Sequence, residues 1–345
     1  MNPNFVKPIE PLLEKFPKIA IAVIGDFFLD KYLIIDPALA ETSLETGKIA
    51  NQVIKIYHSP GAAGTVTSNL SALDIGKIYA IGAIGDDGTG YELINDLKHL
   101  RVDSQYLVQD TRIFTPTYTK PIKITGAQTE EQERIDIKNR RALLPEIEAS
   151  ILNHLTACLE HIDGLIIADQ VEESNFGVIT DNVRARINDL AEQYPHKVFF
   201  ADSRARIGLF RNLIIKPNKF EAYRAVYNRA PQAVNLAVAG ECGQRLCQQT
   251  GRPVIVTLEQ DGAMICTEND VTHLPIIPTS GAIDPVGAGD SFSAGVVAAL
   301  CSRASLEVAV QLGLITASIT IQKIGTTGTA SPAEIRHRVQ NLLIT

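Results

Sequence analysis

Tryptophan is absent from this 345-residue chain and methionine occurs only twice. That argues against aromatic cages and Met-rich grooves as a means of binding. Several motifs that would name a chemistry are missing as well. No G-x-x-x-x-G-K-[ST] occurs, which removes a P-loop nucleotide site, and no G-x-G-x-x-G opens the first helix, which removes the usual dinucleotide fingerprint. There is no G-x-S-x-G, and none of the seven histidines pairs with a serine or cysteine nucleophile motif. The five cysteines (Cys158, Cys242, Cys247, Cys266, Cys301) form no C-x-x-C pair and match no zinc template. They read as reduced core thiols, which points to the cytoplasm. No apolar run reaches 18 residues and the N-terminal stretch has no signal-peptide core, so neither a membrane span nor secretion is expected. Net charge is −7, from 32 basic and 39 acidic residues, without a basic run, so no nucleic acid or anionic membrane is expected as a partner.

What is present is the composition of a packed domain, 45% hydrophobic and 21% charged, in a chain long enough for one large α/β unit. Apolar runs at residues 19–24, 78–81, 164–168, 198–201, 213–215 and 254–258 read as buried parallel strands. Helical periodicity lies between them, at 65–73, 90–100, 145–161, 179–194 and 218–227. This alternation predicts a mainly parallel sheet with helices on both faces, built as one domain over residues 1–345. Residues 31–57 and 113–137 break the rhythm. They are rich in Thr, Ile, Val and Tyr with partial alternation, and read as antiparallel strands. Two such insertions can form a small sheet that covers a site and excludes water; the plainer reading is a pair of edge hairpins.

The most specific string is Ile283-Asp284-Pro285-Val286-Gly287-Ala288-Gly289-Asp290-Ser291-Phe292. Its small residues let the backbone approach a ligand closely, and their N–H groups at a helix start attract an anion. Asp290 there either caps the helix or takes a proton from a nucleophile attacking that anion, as in phosphoryl transfer to a hydroxyl. The first strand ends in Gly25-Asp26-Phe27-Phe28-Leu29-Asp30, where carboxylates suit a pair of neighbouring hydroxyls or simply cap turns. Pro60-Gly61-Ala62-Ala63-Gly64-Thr65 opens a helix, and Gly85-Asp86-Asp87-Gly88 closes the adjoining strand with two aspartates that serve equally as loop and cap residues. Asn218 and Glu221 are three apart. They form a capping box, hold the waters of a Mg²⁺, or do both. Arg134 is either a surface residue or a phosphate partner, and Arg204 and Arg206 offer a basic pair for nucleotide phosphates.

In order along the chain, these motifs resemble those of the PfkB, or ribokinase-like, carbohydrate kinases. The stretches at residues 25–32, 43–45, 134–136 and 323–326 are most similar to the heptose-7-phosphate kinase branch. The resemblance implies a ribokinase-like three-layer α/β/α fold with a mainly parallel sheet and a small β-sheet lid. It implies an ATP-dependent kinase acting on a hydroxyl of a sugar or sugar phosphate. Asp290 would be the base, with Gly287, Ala288 and Gly289 in the anion hole, and Asn218 and Glu221 would hold Mg²⁺. Asp26, Asp30, Gly61, Ala62, Thr65 and Arg134 would face the acceptor. Asn218, Thr257, Gly262, Gly287, Gly289 and Gly325 would face ATP, with residues 322–326 walling the adenine. The family also allows a monovalent cation beside the Asp284 loop and a homodimer through the lid. The chain ends at Thr345 without a nucleotidyltransferase half, so the kinase alone is expected. Four positions depart from the family pattern: Ala62 replaces a Gly, Thr65 an Asn, Pro285 a Thr and Leu314 an Asn. They keep open an alternative, a non-catalytic sugar- or nucleotide-binding regulator on the same fold.

Overall fold

The computed structural model describes residues 9–126, 128–325 and 327–344. Helix α1 (Ile9–Leu13) precedes β1 (Ala20–Gly25), and the chain runs on into the lid strands β2 (Phe27–Thr42) and β3 (Ile49–Ala62). Then come α2 (Ala63–Ala72), β4 (Lys77–Gly85), α3 (Gly88–His99), β5 (Val102–Asp110), β6 (Thr117–Thr125), β7 (Gln128–Glu131) and β8 (Ile135–Ile137). The next stretch holds α4 (Pro145–Leu159), β9 (Gly164–Asp169), α5 (Asp181–Gln193), β10 (Val198–Ser203), β11 (Ile214–Ile215), α6 (Lys219–Tyr227) and α7 (Leu236–Thr250). Last are β12 (Val254–Thr257), β13 (Ala263–Cys266), β14 (Val271–Leu274), α8 (Ala288–Cys301), α9 (Leu306–Thr320) and α10 (Pro332–Ile344).

The central sheet has the order β14-β13-β12-β11-β10-β9-β1-β4-β5. It is parallel from β12 to β5, and β13 alone is reversed, antiparallel to both β12 and β14. The pleat of β1 sends Ile21 and Val23 to one face and Ala22 and Ile24 to the other. The first pair joins a core with Leu70 of α2, Val297 of α8 and Leu312 of α9. The second joins Ile151 of α4, Ile187 of α5 and Leu246 of α7. Two separate cores with the sheet between them make the three-layer α/β/α arrangement. The five cysteines are buried free thiols. Among the described residues no helix is long and apolar enough to cross a membrane.

The lid is a second, five-stranded sheet, and it differs from the antiparallel expectation. β2 and β3 form an antiparallel hairpin, but β6 lies parallel to β2, with β7 and β8 antiparallel to β6. The cause is topological. β2 continues from β1 and β6 follows β5, and those two strands point the same way in the central sheet, so both enter the lid from one edge in one direction. The hairpin also reaches further back than residues 31–57. Phe27 pairs with Ala62, and Ala63 donates its N–H to the carbonyl of Asp26 at 3.0 Å. The expected sugar loop is thereby joined to the end of β1.

Candidate active site

The site lies where ligands collect in such sheets, beyond the carboxyl ends of the parallel strands. Ala201 of β10 pairs with Ile215 of β11, so the residues that follow, Asp202 and Lys216, emerge side by side. Their charges meet at 2.8 Å with Lys216 buried. Two residues on, Asn218 caps α6: its Oδ1 accepts from the N–H groups of Phe220 (2.9 Å) and Glu221 (2.8 Å). Glu221 Oε2 in turn accepts from the N–H of Asn218 at 2.8 Å. The capping box anticipated from the spacing is formed, and it fixes Glu221 while leaving Oε1 over. Burial, then the neighbouring Asp202, raises the Glu221 pKa, with Lys216 pulling the other way.

Helix α8 is preceded by its cap residue Gly287, which has φ 78° and ψ 1° and needs the freedom of glycine: a Cβ there would lie 2.6 Å from Thr327 Cγ2. Asp290 is the third residue of the helix and not its cap. Its carboxylate accepts no hydrogen bond among the described residues, and it keeps partial access to solvent. Burial first, then Asp202, pushes its pKa up to about 7, against the pull of Lys216 and Arg204. Of the amides expected to form an anion hole, one is already paired. Ala288 gives its N–H to the Pro285 carbonyl at 3.1 Å, which leaves Gly287, Gly289 and Asp290 as the amides without a backbone partner among the described residues. A Cβ on Gly289 would sit 3.7 Å from Lys216 Nζ, so that cation stands at the same helix end. Sequence reasoning assigned Lys216 no role. The available signal was a lysine immediately after an apolar strand end.

Beside this cluster is a cavity of about 450 Å³ lined by Asp26, Phe28, Tyr118, Lys138, Gly177 and Arg204, among others. One wall is the loop after β9. Asp26 is buried, and its carboxylate accepts from three N–H groups of that loop: Gln170 (3.0 Å), Val171 (3.1 Å) and Val178 (2.7 Å). Burial raises its pKa to about 6, the backbone donors opposing it. The other expected acceptor residues do not line the cavity. Asp30 pairs with Lys120 at 3.1 Å and lies over Gly61, where a Cβ would meet its Oδ2 at 2.7 Å. Thr65 is buried, with its methyl turned to Gly287 and its hydroxyl to the Pro60 carbonyl at 3.4 Å. Ala62 holds φ 53° and ψ −118°, a backbone region that suits glycine. Arg134 is paired with Asp136 at 2.6 Å and stacks 4.5 Å above the ring of Tyr118, touching the cavity wall from behind.

Of the residues expected to face ATP, Thr257 is bridged to Asn218 and gives its N–H to Pro217. The N–H of Gly262 is committed to the Glu259 carbonyl, and its φ of 89° serves the turn into β13, so the structure gives this residue a hairpin role. Gly325 donates to Asp284 Oδ2 at 3.4 Å, and Thr326 lies outside the described residues. Arg206 corrects the expectation of a phosphate-binding pair. It is buried against Asp169 at 2.6 Å, and only Arg204 remains at the cavity. Asp87 caps α3, with Gly90 N–H at 2.7 Å from its Oδ1.

The sequence pattern of the pfkB family carbohydrate kinases matches residues 31–334. The chain belongs to the pfkB family of carbohydrate kinases. It is 25% identical over 340 residues to the bifunctional protein HldE of Trichlorobacter lovleyi, covering 95% of this chain and 64% of that protein. HldE of Helicobacter pylori strain G27 is 26% identical over 312 residues, covering 88% and 63%. The chain therefore spans less than two thirds of the length of these curated relatives. Arabidopsis thaliana ribokinase, solved with ribose and ATP, superposes with a TM-score of 0.68 at 16% identity, over 93% of this chain and 99% of that one. Escherichia coli phosphofructokinase-2, solved with potassium, gives 0.68 at 18% identity, over 94% and 99%. The pfkB fold is thus shared well beyond recognisable sequence.

Kinases of the pfkB family use ATP, and a divalent ion is the group to test against the residues present. Among the described residues no three His, Cys, Asp or Glu side chains converge to hold a bare metal. Glu221 Oε1, which has no partner among the described residues and feels the charge of Asp202, fits a hydrated Mg²⁺ held through its waters. A monovalent cation fits less well. Pro285 brings no side-chain oxygen to its loop, and the two oxygens of Asp284 already accept from Val286 and Gly325.

Proposed function

We propose that this pfkB chain transfers the γ-phosphate of ATP to a hydroxyl of a sugar or sugar phosphate, with residues 1–345 working as one kinase domain. The observation that carries the reading is the surroundings of Asp290. A carboxylate that accepts no hydrogen bond among the described residues, with its pKa pushed up to about 7, stands at a helix start beside three amides without a backbone partner among those residues and a buried lysine. That is a base next to an anion hole. Arg204, which lines the acceptor cavity and also feels Asp290, connects the two halves.

In this mechanism the acceptor lies between the lid and the loop after β9. Glu172 and Glu173 at the cavity, with the little acceptor capacity Asp26 keeps after its three backbone bonds, suit hydroxyls, while Lys138 and Arg204 suit an anionic group, so the lining matches a polyol that already carries a phosphate. Asp290 takes the proton of the attacking hydroxyl. The amides of Gly287, Gly289 and Asp290, with Lys216, hold the charge that develops on the phosphoryl oxygens. Mg²⁺, when bound, would neutralise the transferring phosphates; Glu221 would hold its hydration shell, and Asn218, whose Oδ1 accepts two backbone N–H groups, would keep Glu221 in place. The lid excludes water, which otherwise competes for the phosphoryl group. Large exposed apolar side chains on the hairpin (Leu39, Leu44, Ile49, Ile54) support a homodimer through the lid. The five buried thiols and the absence of a membrane-crossing helix among the described residues support the cytoplasm.

The test is Mg²⁺-dependent ADP release against a panel of sugars and sugar phosphates that includes heptose 7-phosphate and fructose 6-phosphate. Asp290→Asn is expected to keep acceptor binding and to lose about two to four orders of magnitude in turnover, the range for a lost general base. Near-normal turnover in that variant overturns the mechanism. No release with any acceptor, together with measurable sugar or nucleotide binding, moves the chain to the regulator reading.

A further inference from the structure

We propose that Arg206 is a positioning residue for the acceptor: it and Asp26 together hold residues 170–178 as the fixed wall of the acceptor cavity. This rests on the kinase reading above and adds to it how the cavity keeps its shape. The loop has no regular secondary structure of its own between β9 and the start of α5. Asp26 takes its N–H groups, those of Gln170, Val171 and Val178. Arg206 takes the carbonyls, donating from Nη2 to Val171 and from Nη1 to Glu172 at 2.9 Å. Val171 is gripped from both sides, by its N–H and by its C=O.

The guanidinium is itself oriented from below. Asp169, the last residue of β9, accepts Arg206 Nη2 at 2.6 Å and Nε at 3.2 Å. Ser203 donates its hydroxyl to the same carboxylate at 2.6 Å and accepts the backbone N–H of Arg206 at 3.0 Å. Asp169 is 1% exposed and Arg206 9%, so solvent does not compete for these bonds. At the far end of the loop Asn175 accepts the N–H of Asp181 at 2.8 Å and donates to its carboxylate at 3.0 Å. The loop must also pass close to Asp26, since a Cβ on Gly177 would lie 2.6 Å from Asp26 Oδ1. A planar fork with several N–H donors at fixed angles meets one carboxylate and two carbonyls at once; an ammonium cannot. Arg206 does not line the cavity, so its effect passes through the wall.

The test uses the full chain with Arg206→Lys and Arg206→Met, the acceptor identified by the panel, and amide hydrogen exchange over residues 170–178. Arg206→Lys keeps the charge facing Asp169 and so keeps the fold if Arg206→Met does not. In both variants the acceptor KM is expected to rise at least about tenfold, the loss of one charge-assisted hydrogen bond or more, while the KM for ATP stays put and kcat changes less. Exchange at Gln170, Val171 and Val178 is expected to quicken, while the central strands stay protected. An active unsubstituted chain whose Arg206→Lys variant keeps its acceptor KM, or whose loop exchange is unchanged, overturns the proposal. If the unsubstituted chain phosphorylates nothing, the kinase reading fails first and the acceptor role falls with it.

Discussion

Ala62 is the residue whose replacement most directly tests the local geometry. It stands in the first turn before α2, at φ 53° and ψ −118°, where any side chain crowds the backbone. Strain of this kind costs about 1–3 kcal/mol in a non-glycine residue. Ala62→Gly removes it but frees the unfolded chain, which takes back about 0.4–1 kcal/mol. The net expectation is a gain of about 0.5–2 kcal/mol, or roughly 1–3 °C in Tm for a chain of this size. Urea unfolding read by circular dichroism measures it: the midpoint should rise with the slope unchanged. A midpoint that falls means that the methyl contributes more packing than the turn loses in strain, and the argument from backbone angles is then wrong. Because Ala62 does not line the acceptor cavity, the acceptor KM should move little.

The pH dependence follows from Asp290. As the proposed base it would work deprotonated, and its folded pKa of about 7 then predicts that kcat/KM falls about tenfold per pH unit below neutrality. Asp202→Asn removes a carboxylate that raises this pKa and leaves Lys216 to Asp290, so the acid limb should move to lower pH; a limb that stays put excludes the coupling. Gly287→Ala places a methyl against Thr327 at a positive φ, and should cut kcat by about 10²- to 10³-fold, the loss typical of a damaged anion hole, with acceptor binding retained. Unchanged turnover in that variant refutes the role given to the α8 amides.

Much of the architecture was legible in the residues. The apolar runs at 164–168 and 254–258 became β9 and β12 almost to the residue, because a strand buried on both faces has no room for polar side chains. The capping box of Asn218 and Glu221 was equally plain, since three-residue spacing at a helix start is a local property. Edge strands were harder. β5 mixes Asp103, Ser104 and Gln105 with apolar residues, and one exposed edge removes the continuous signal.

Local order wrote the small-residue turn at Gly287, the aspartate three places on, and the alternation of strands and helices; each depends only on neighbours in the chain. Tertiary structure decided what those neighbours could not. Lys216 becomes part of the site because β10 and β11 lie in register, 14 positions apart in sequence yet adjacent in the sheet. Asp26 serves the loop at 170–178 because β1 and β9 are paired, which commits to the backbone three hydrogen bonds that a sugar was expected to fill. Arg206, which reads as a phosphate ligand in sequence, is turned inward by the buried Asp169, since an unpaired charge there costs more than any exposed contact returns.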